Sequence, residues 1–311
     1  LDIAGFRRQL DLLCSRAEPI TWPQFHAWHQ GSGTIPETGF LLTFDDGLSD
    51  HAEVVAPLLE DRGLRGVFFV PGQVLDSGRM ASAHQIHLLQ ATLGDEAFAD
   101  AVCSWLTDNY AEGGCLDQPQ IAQAHRVYHY EPPERAELKY RLAFALPIDV
   151  RRKMIDSLFA AHLGDEEPYA RRWYLDGRQV AALQRAGHTI GGHGFDHEPY
   201  LRLSGDDQVR DLSRSAKILD DLIGPGPRPF SYPYGSFDNA VARRCRQAGF
   251  CQAMTTRPGW VGCGSDAWAL DRVDTIDLDR FLEQEQPCPS SRSTSPQPEL
   301  GRLEPSVWPA S

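Results

Sequence analysis

The chain has 311 residues, 41% of them apolar and 23% charged, which excludes collagen-like, coiled-coil and fully disordered readings. At about 150 residues per domain that length suits one or two domains, or a single α/β barrel. Thirty basic against 43 acidic residues leave a net charge of −13; such a chain repels phosphate backbones, and no basic run is denser than Arg151-Arg152-Lys153, so nucleic acid is not expected as a partner.

Taken in chain order, Leu1 to Leu13 carries Arg7 and Arg8 among mixed polar residues and does not read as a signal peptide. The first residue is Leu rather than Met, which leaves a removed leader open. Phe40-Leu41-Leu42-Thr43-Phe44 and Gly66-Val67-Phe68-Phe69-Val70 have the short apolar pattern of buried strands. Ala52 to Arg62 between them has helical spacing, interrupted by Pro57. The alternation then stops. Residues 77–175 hold helical patterns at Gln85 to Leu93, Ala97 to Leu106, Ala136 to Ala145 and Val150 to His162, and few strand signals. This is expected to be a helical insertion covering one rim of a sheet. Alternation resumes with Asp176 capping a helix that stops at Gly187, then a strand at His188 to Gly191. Ser204 opens a helix ending near Gly224, Pro229 to Tyr232 is a strand, Asp238 caps a helix ending at Gly249, and Gln252 to Thr256 is a strand. This order implies a parallel sheet, open or closed into a barrel. The reading is therefore one domain over residues 1–284, interrupted at 77–175. Residues 285–311 are rich in Pro and Ser and cannot bury enough surface to offset chain entropy, so a disordered tail is expected there.

Seven cysteines, an odd number with no CxxC spacing, argue against a disulfide framework and a cysteine zinc site. They favour a reducing, cytoplasmic compartment. No run approaches the roughly 18 apolar residues of a membrane span. Oligomeric state is not legible.

Chemistry has to be sought among eleven histidines. His26 and His29 are three apart, as are His84 and His87; His125 and His129 are four apart, as are His193 and His197. Context arbitrates. His193 and His197 follow a strand, within Gly191-Gly192-His193-Gly194-Phe195-Asp196-His197, whose glycines permit sharp turning and close approach to a bound group. Thr43-Phe44-Asp45-Asp46-Gly47 and Phe230-Ser231-Tyr232-Pro233-Tyr234-Gly235 also follow strands. The carboxyl ends of parallel strands are where α/β proteins bind ligands. His125 and His129 lie within the helical stretch and read as an exposed helix face. An Asp-Asp pair alone is as readily a helix cap. Beside an HxxxH on the same sheet, one carboxylate and two imidazoles make a three-ligand site for a divalent transition metal, zinc or else cobalt or nickel. The second carboxylate is then placed to take a proton from water.

Thr43-Phe44-Asp45-Asp46-Gly47, His193-x-x-x-His197 and Pro233-Tyr234-Gly235, in that order, resemble the polysaccharide deacetylase (NodB-type carbohydrate esterase) family over about residues 36–75 and 176–276. The resemblance implies a distorted (β/α) barrel of about seven strands and a metal-dependent hydrolase acting on N-acetylated sugars. It implies Asp45 as general base, Asp46, His193 and His197 as metal ligands, and the Tyr234 N–H as an oxyanion donor. Tyr232, Tyr234, Trp260 and Trp268 are candidates for stacking on a sugar ring. Arg272 is placed with Tyr232 among the substrate-binding residues, and with Arg257 as a partner for Asp45.

This chain departs from the family pattern at three points. Gly194 stands where Ser or Thr usually braces the metal loop. Ser231 stands where an Arg usually orients the base, with Arg228 three residues further back. No histidine follows His197 to act as the acid, which leaves Asp45 in both roles or His51 in the second. The expected reaction is deacetylation of an N-acetylamino sugar in a small glycoside, a nucleotide- or lipid-linked sugar, or a polysaccharide. The alternatives are a sugar N-deformylase or other C–N amide hydrolase, and an inactive sugar-binding relative.

Overall fold

Short apolar runs build a parallel sheet in the computed structural model, which describes residues 2–110 and 116–283. Strands β1 (Glu18–Pro19) and β2 (Gly39–Phe40) form a two-stranded parallel ladder. Strands β3 (Leu42–Phe44), β4 (Gly66–Val70), β5 (Thr189–Gly192), β6 (Arg228–Ser231) and β7 (Phe250–Met254) form a five-stranded sheet in that order, parallel throughout. The expected α/β class with a parallel sheet is present. The expected seven-stranded barrel is corrected: among the described residues no ladder joins β7 to β3. The predicted strand Phe40–Phe44 divides at Leu41 into β2 and β3. The edges are joined by side chains instead. Ile20, Trp22 and Phe25, the last two on the helix Trp22–His29, pack in one cluster with Val67, Phe69, Met254 and Leu270. His26 Nδ1 on the same helix meets Gln252 Oε1 of β7 at 2.8 Å.

Strand periodicity explains how the sheet is covered. Val67 and Phe69 face that cluster, whereas Phe68 and Val70, on the opposite face of β4, enter the larger core. Between β4 and β5 the described chain is helical, with Ser82–Leu93, Asp95–Asn109, Gln118–Val127, Pro133–Tyr140, Ile148–His162 and Glu167–Trp173 as its main helices. Leu89, Phe98, Val102, Leu106, Met154 and Ile155 from these helices share the Phe68 core and are fully buried. Each large apolar side chain so buried contributes about 1.5–3 kcal/mol, which anchors the helical segment to the sheet.

Capping follows the sequence. Asp176 accepts from Gln179 N at 2.8 Å and starts the helix Gly177–Arg185. Ser204 and Asp238 likewise start Gly205–Ile223 and Asn239–Gln247. Among the described residues, those up to Asp274 form one compact unit and those from Thr275 onward a second. The predicted tail, 285–311, lies outside the described residues. No helix among the described residues is long and apolar enough to cross a membrane.

The predicted helix Ala52–Arg62 is a π-helical turn, His51–Val55, followed by the short helix Ala56–Glu60 with Pro57 in its first turn. Pro57 has no N–H to give, and the Ala56 N–H reaches back to the His51 carbonyl. The turn buries His51, 7% exposed, between Phe44 and Phe68, with ring centroids 5.7 and 5.3 Å away. His51 is thus neither a surface residue nor placed as an acid. Burial pushes its pKa from 6.5 down to about 4. The folded chain keeps this ring neutral while the unfolded chain protonates it, so its contribution is full above pH 6.5 and is lost as pH falls toward 4. His51→Leu removes that loss. At pH 4 the variant is expected to recover roughly 2–3 kcal/mol relative to wild type, read by denaturant unfolding at pH 4 and 7.

Candidate active site

Three motifs follow the carboxyl ends of three parallel strands: Asp45-Asp46 after β3, His193 after β5 and Tyr232 to Gly235 after β6. Each contributes one residue to the left-handed region, Asp46 (φ 77°), His197 (φ 55°) and Tyr234 (φ 58°). A non-glycine residue held there costs on the order of 1–3 kcal/mol, and such residues cluster at functional sites. Gly191 and Gly192 have a different role from the one expected. A Cβ at Gly191 would meet the Phe69 ring at 2.5 Å, and one at Gly192 the Phe250 ring at 2.6 Å. Their smallness serves core packing. Gly194 lacks a hydroxyl, and the loop is braced instead by Asp211 of the helix Gly205–Ile223. That carboxylate accepts from Phe195 N at 2.9 Å, Asp196 N at 2.8 Å and the Tyr200 hydroxyl.

His193 Nε2 and His197 Nε2 lie 3.2 and 3.0 Å from Asp46 Oδ1. One ligand atom from each of the three residues lies within 4.8 Å of the others. His193 Nδ1 is 2.7 Å from the Ser231 carbonyl, which only accepts, so Nδ1 carries the ring's proton. The neutral ring therefore turns a lone pair toward a carboxylate oxygen. Two acceptors facing each other repel, and a cation between them removes the repulsion. This nitrogen, nitrogen, oxygen donor set, with one imidazole oriented by a backbone carbonyl, fits a divalent transition metal. A proton on Nε2 relieves the same repulsion when no cation is bound. Burial works against a charged His193, but Asp45 and Asp46 outweigh it and raise its pKa. Burial likewise opposes ionisation of Asp46, yet His197 and hydrogen bonds from His193, His197 and His84 hold its carboxyl well below the usual range. At His197 burial wins and the pKa is lowered.

Asp45 stands beside this group, its Oδ2 4.0 Å from His193 Nε2. Arg272 grips it with two parallel bonds, Nη1 to Oδ1 and Nη2 to Oδ2, each 2.8 Å. Arg272 Nη2 also donates to Ser231 Oγ at 3.0 Å, and Ser231 Oγ donates to Asp45 Oδ2 at 3.1 Å. Burial opposes the charge on Asp45, but Arg272 and His193 outweigh it and lower the pKa. Arg272 and Ser231 together thus occupy the orienting position for which an Arg at 231 would be expected. Arg257 pairs with Asp271 at 3.0 Å, and Arg228 with Asp220, so neither serves Asp45.

Two substrate-binding expectations need correction. Arg272 spends its guanidinium on Asp45. Tyr232 is fully buried, its ring stacked on Phe237 at 4.6 Å and its hydroxyl bonded to the Trp268 carbonyl at 3.2 Å, so it offers no face to a sugar. The Tyr234 ring does border the site, 5.3 Å from the His197 ring and 5.9 Å from that of Phe144. His125 pairs with Glu137 at 2.9 Å on an exposed helix face, as read. A site neighbour whose role spacing did not decide is His84, whose Nε2 lies 3.3 Å from Asp46 Oδ2. Its i, i+3 pairing with His87 is visible in the sequence, but nothing local tells that it faces Asp46.

Comparison with known proteins finds relatives for part of this arrangement. Residues 160–253 match the family model described as polysaccharide deacetylase. The match includes His193, His197 and Tyr234; Asp45 and Asp46 lie outside it and are joined to them by the fold. The chain is similar to the peptidoglycan deacetylase of Helicobacter pylori, 28% identical over 72 residues, covering 23% of this chain and 25% of that protein. It is similar to the chitooligosaccharide deacetylase of Azorhizobium caulinodans, 26% identical over 105 residues, covering 33% and 47%. The chain thus spans less than half the length of these relatives. Among solved structures, the Streptococcus pyogenes deacetylase PplD shares the fold, with a TM-score of 0.55, 12% identity and coverage of 91% of this chain and 88% of that one. Residues 160–253, which hold two of the three motifs, are thus similar to the polysaccharide deacetylase family.

Proposed function

We propose that this chain is a metal-dependent hydrolase that removes the N-acetyl group from an N-acetylamino sugar. The observation that carries the reading is the convergence of Asp46, His193 and His197 within 4.8 Å, with Asp45 beside them. Zinc, cobalt or nickel held by these three residues would supply Lewis-acid polarisation of the amide carbonyl and a lowered pKa for water. The protein groups do the rest. Asp45, kept ionised by Arg272, takes a proton from the attacking water. The Tyr234 N–H donates to the oxyanion as it forms, a contact of a kind worth ~3–4 kcal/mol. Asp45 then passes its proton to the departing amine, since His51 is enclosed by Phe44 and Phe68. Similarity to a peptidoglycan deacetylase and a chitooligosaccharide deacetylase supports an N-acetylated saccharide as substrate, whether a small glycoside, a nucleotide- or lipid-linked sugar or a polymer. Free thiols at Cys14, Cys103, Cys245, Cys251 and Cys263 support a reducing, cytoplasmic setting.

The test is acetate release from a panel of free, nucleotide-linked and polymeric N-acetylamino sugars, before and after chelation and with zinc or cobalt restored. Acetate release that chelation abolishes and metal returns is expected. Formate in place of acetate would make the chain a deformylase. Full activity after chelation would remove the metal from the reading.

A further inference from the structure

The helical segment between β4 and β5 lies outside the three motifs, yet it sends one side chain to the metal ligands. His84, in the first turn of the helix Ser82–Leu93, sets Nε2 3.3 Å from Asp46 Oδ2, while His193 and His197 approach the other oxygen, Oδ1. On its far side His84 Nδ1 is 2.5 Å from the Tyr174 hydroxyl, and the Ala81 N–H reaches that same oxygen at 3.1 Å. His84 and Tyr174 are both buried, His84 at 6% and Tyr174 at 4% exposed, so these bonds do not compete with bulk water.

What each group can give sets the direction of every bond. The ionised Asp46 carboxylate only accepts, so the neutral His84 ring carries its proton on Nε2, and Nδ1 accepts from the Tyr174 hydroxyl, whose oxygen in turn accepts from the Ala81 N–H. That proton lies on the nitrogen 3.3 Å from Asp46 Oδ2. Ala81, Tyr174, His84 and Asp46 form one directed series. Ala81 and His84 come from the start of the helical segment and Tyr174 from its end, so the two ends of the segment meet at this carboxylate.

The geometry points to His84 as a positioning residue that orients Asp46 for cation binding, with Tyr174 fixing its tautomer. Tying Oδ2 leaves Oδ1, the oxygen facing both imidazoles, as the ligand atom. The inference rests on the metal reading above and extends it to a residue outside the family motifs. Partners that orient a ligand in this way are typically worth about 10–100-fold in metal affinity.

The experiment measures zinc affinity of the full chain, without substrate, by competition with a chromophoric chelator. His84→Ala is expected to bind zinc about 10–100-fold more weakly. Tyr174→Phe should lose part of this. His84→Gln, whose amide N–H can still be offered to Oδ2, should regain much of it. Because three ligands remain, the cobalt absorption bands of His84→Ala should keep their wild-type positions and intensity. Circular dichroism and thermal melting establish folding; if His84→Ala is not folded, His84→Gln and Tyr174→Phe carry the comparison. Wild-type zinc affinity in folded His84→Ala, or in Tyr174→Phe where that variant carries the comparison, overturns the inference and leaves the metal reading standing. Cobalt bands showing a lost nitrogen ligand also overturn it. Absence of zinc binding by the wild-type chain overturns both.

Discussion

Asp45→Asn is expected to bind zinc within a few-fold of wild type and to release acetate about 10³-fold more slowly, within the usual range for removing a general base. Asparagine keeps the shape of the side chain and can still meet Ser231 and Arg272, but its amide has no basic lone pair for water's proton. Metal binding should survive because Asp46, His193 and His197 retain their mutual distances and Asp45 approaches His193 only at 4.0 Å. The two quantities therefore separate. Turnover is measured at saturating zinc and affinity by chelator competition. A rate within tenfold of wild type would assign the base elsewhere. Joint loss of zinc and turnover would make Asp45 a ligand.

Arg272→Met is expected to be the most destabilising single change at the site. The guanidinium makes both of its short bonds to one carboxylate, and its side chain is 17% exposed. Removing one partner of a mostly buried pair leaves the other charge uncompensated, at a cost of roughly 3–5 kcal/mol. The pH dependence has a definite sign. In the wild-type protein Asp45 has a pKa below 3.8, so the pair's contribution is full above that value and is lost as pH falls through the folded value. Without Arg272, burial is less opposed and the Asp45 pKa rises. Deacetylation should then fade at higher pH than in wild type, the base being protonated sooner. Urea unfolding at pH 7 reads the first effect and a pH–rate profile the second. The double variant Asp45→Asn with Arg272→Met should regain most of the lost stability, because no unpaired charge remains. A double variant as unstable as Arg272→Met alone would locate the loss in packing rather than in charge.

Local regularities made much of this protein legible. β4 at Gly66–Val70, the caps at Asp176, Ser204 and Asp238, and the helical run between β4 and β5 all follow from residue spacing and side-chain chemistry over a few positions. So does the placement of Asp46, His193 and Tyr234 just past strand ends, since each cluster directly follows an apolar run. That no ladder closes the sheet among the described residues was not legible locally. It turned on Trp22 and Phe25 filling the space beside β4 and β7, which no periodicity in residues 40–44 announces. Nor could spacing choose among Arg228, Arg257 and Arg272 as the partner of Asp45, since the pair that forms is 227 positions apart. Tyr232 and Tyr234 are two residues apart, yet one is buried and the other borders the site. His84 reaches Asp46 with the help of Tyr174, 90 positions away. Local periodicity encodes which way a side chain leaves its own element; which residues then meet depends on how distant elements pack, and only the tertiary structure decides that.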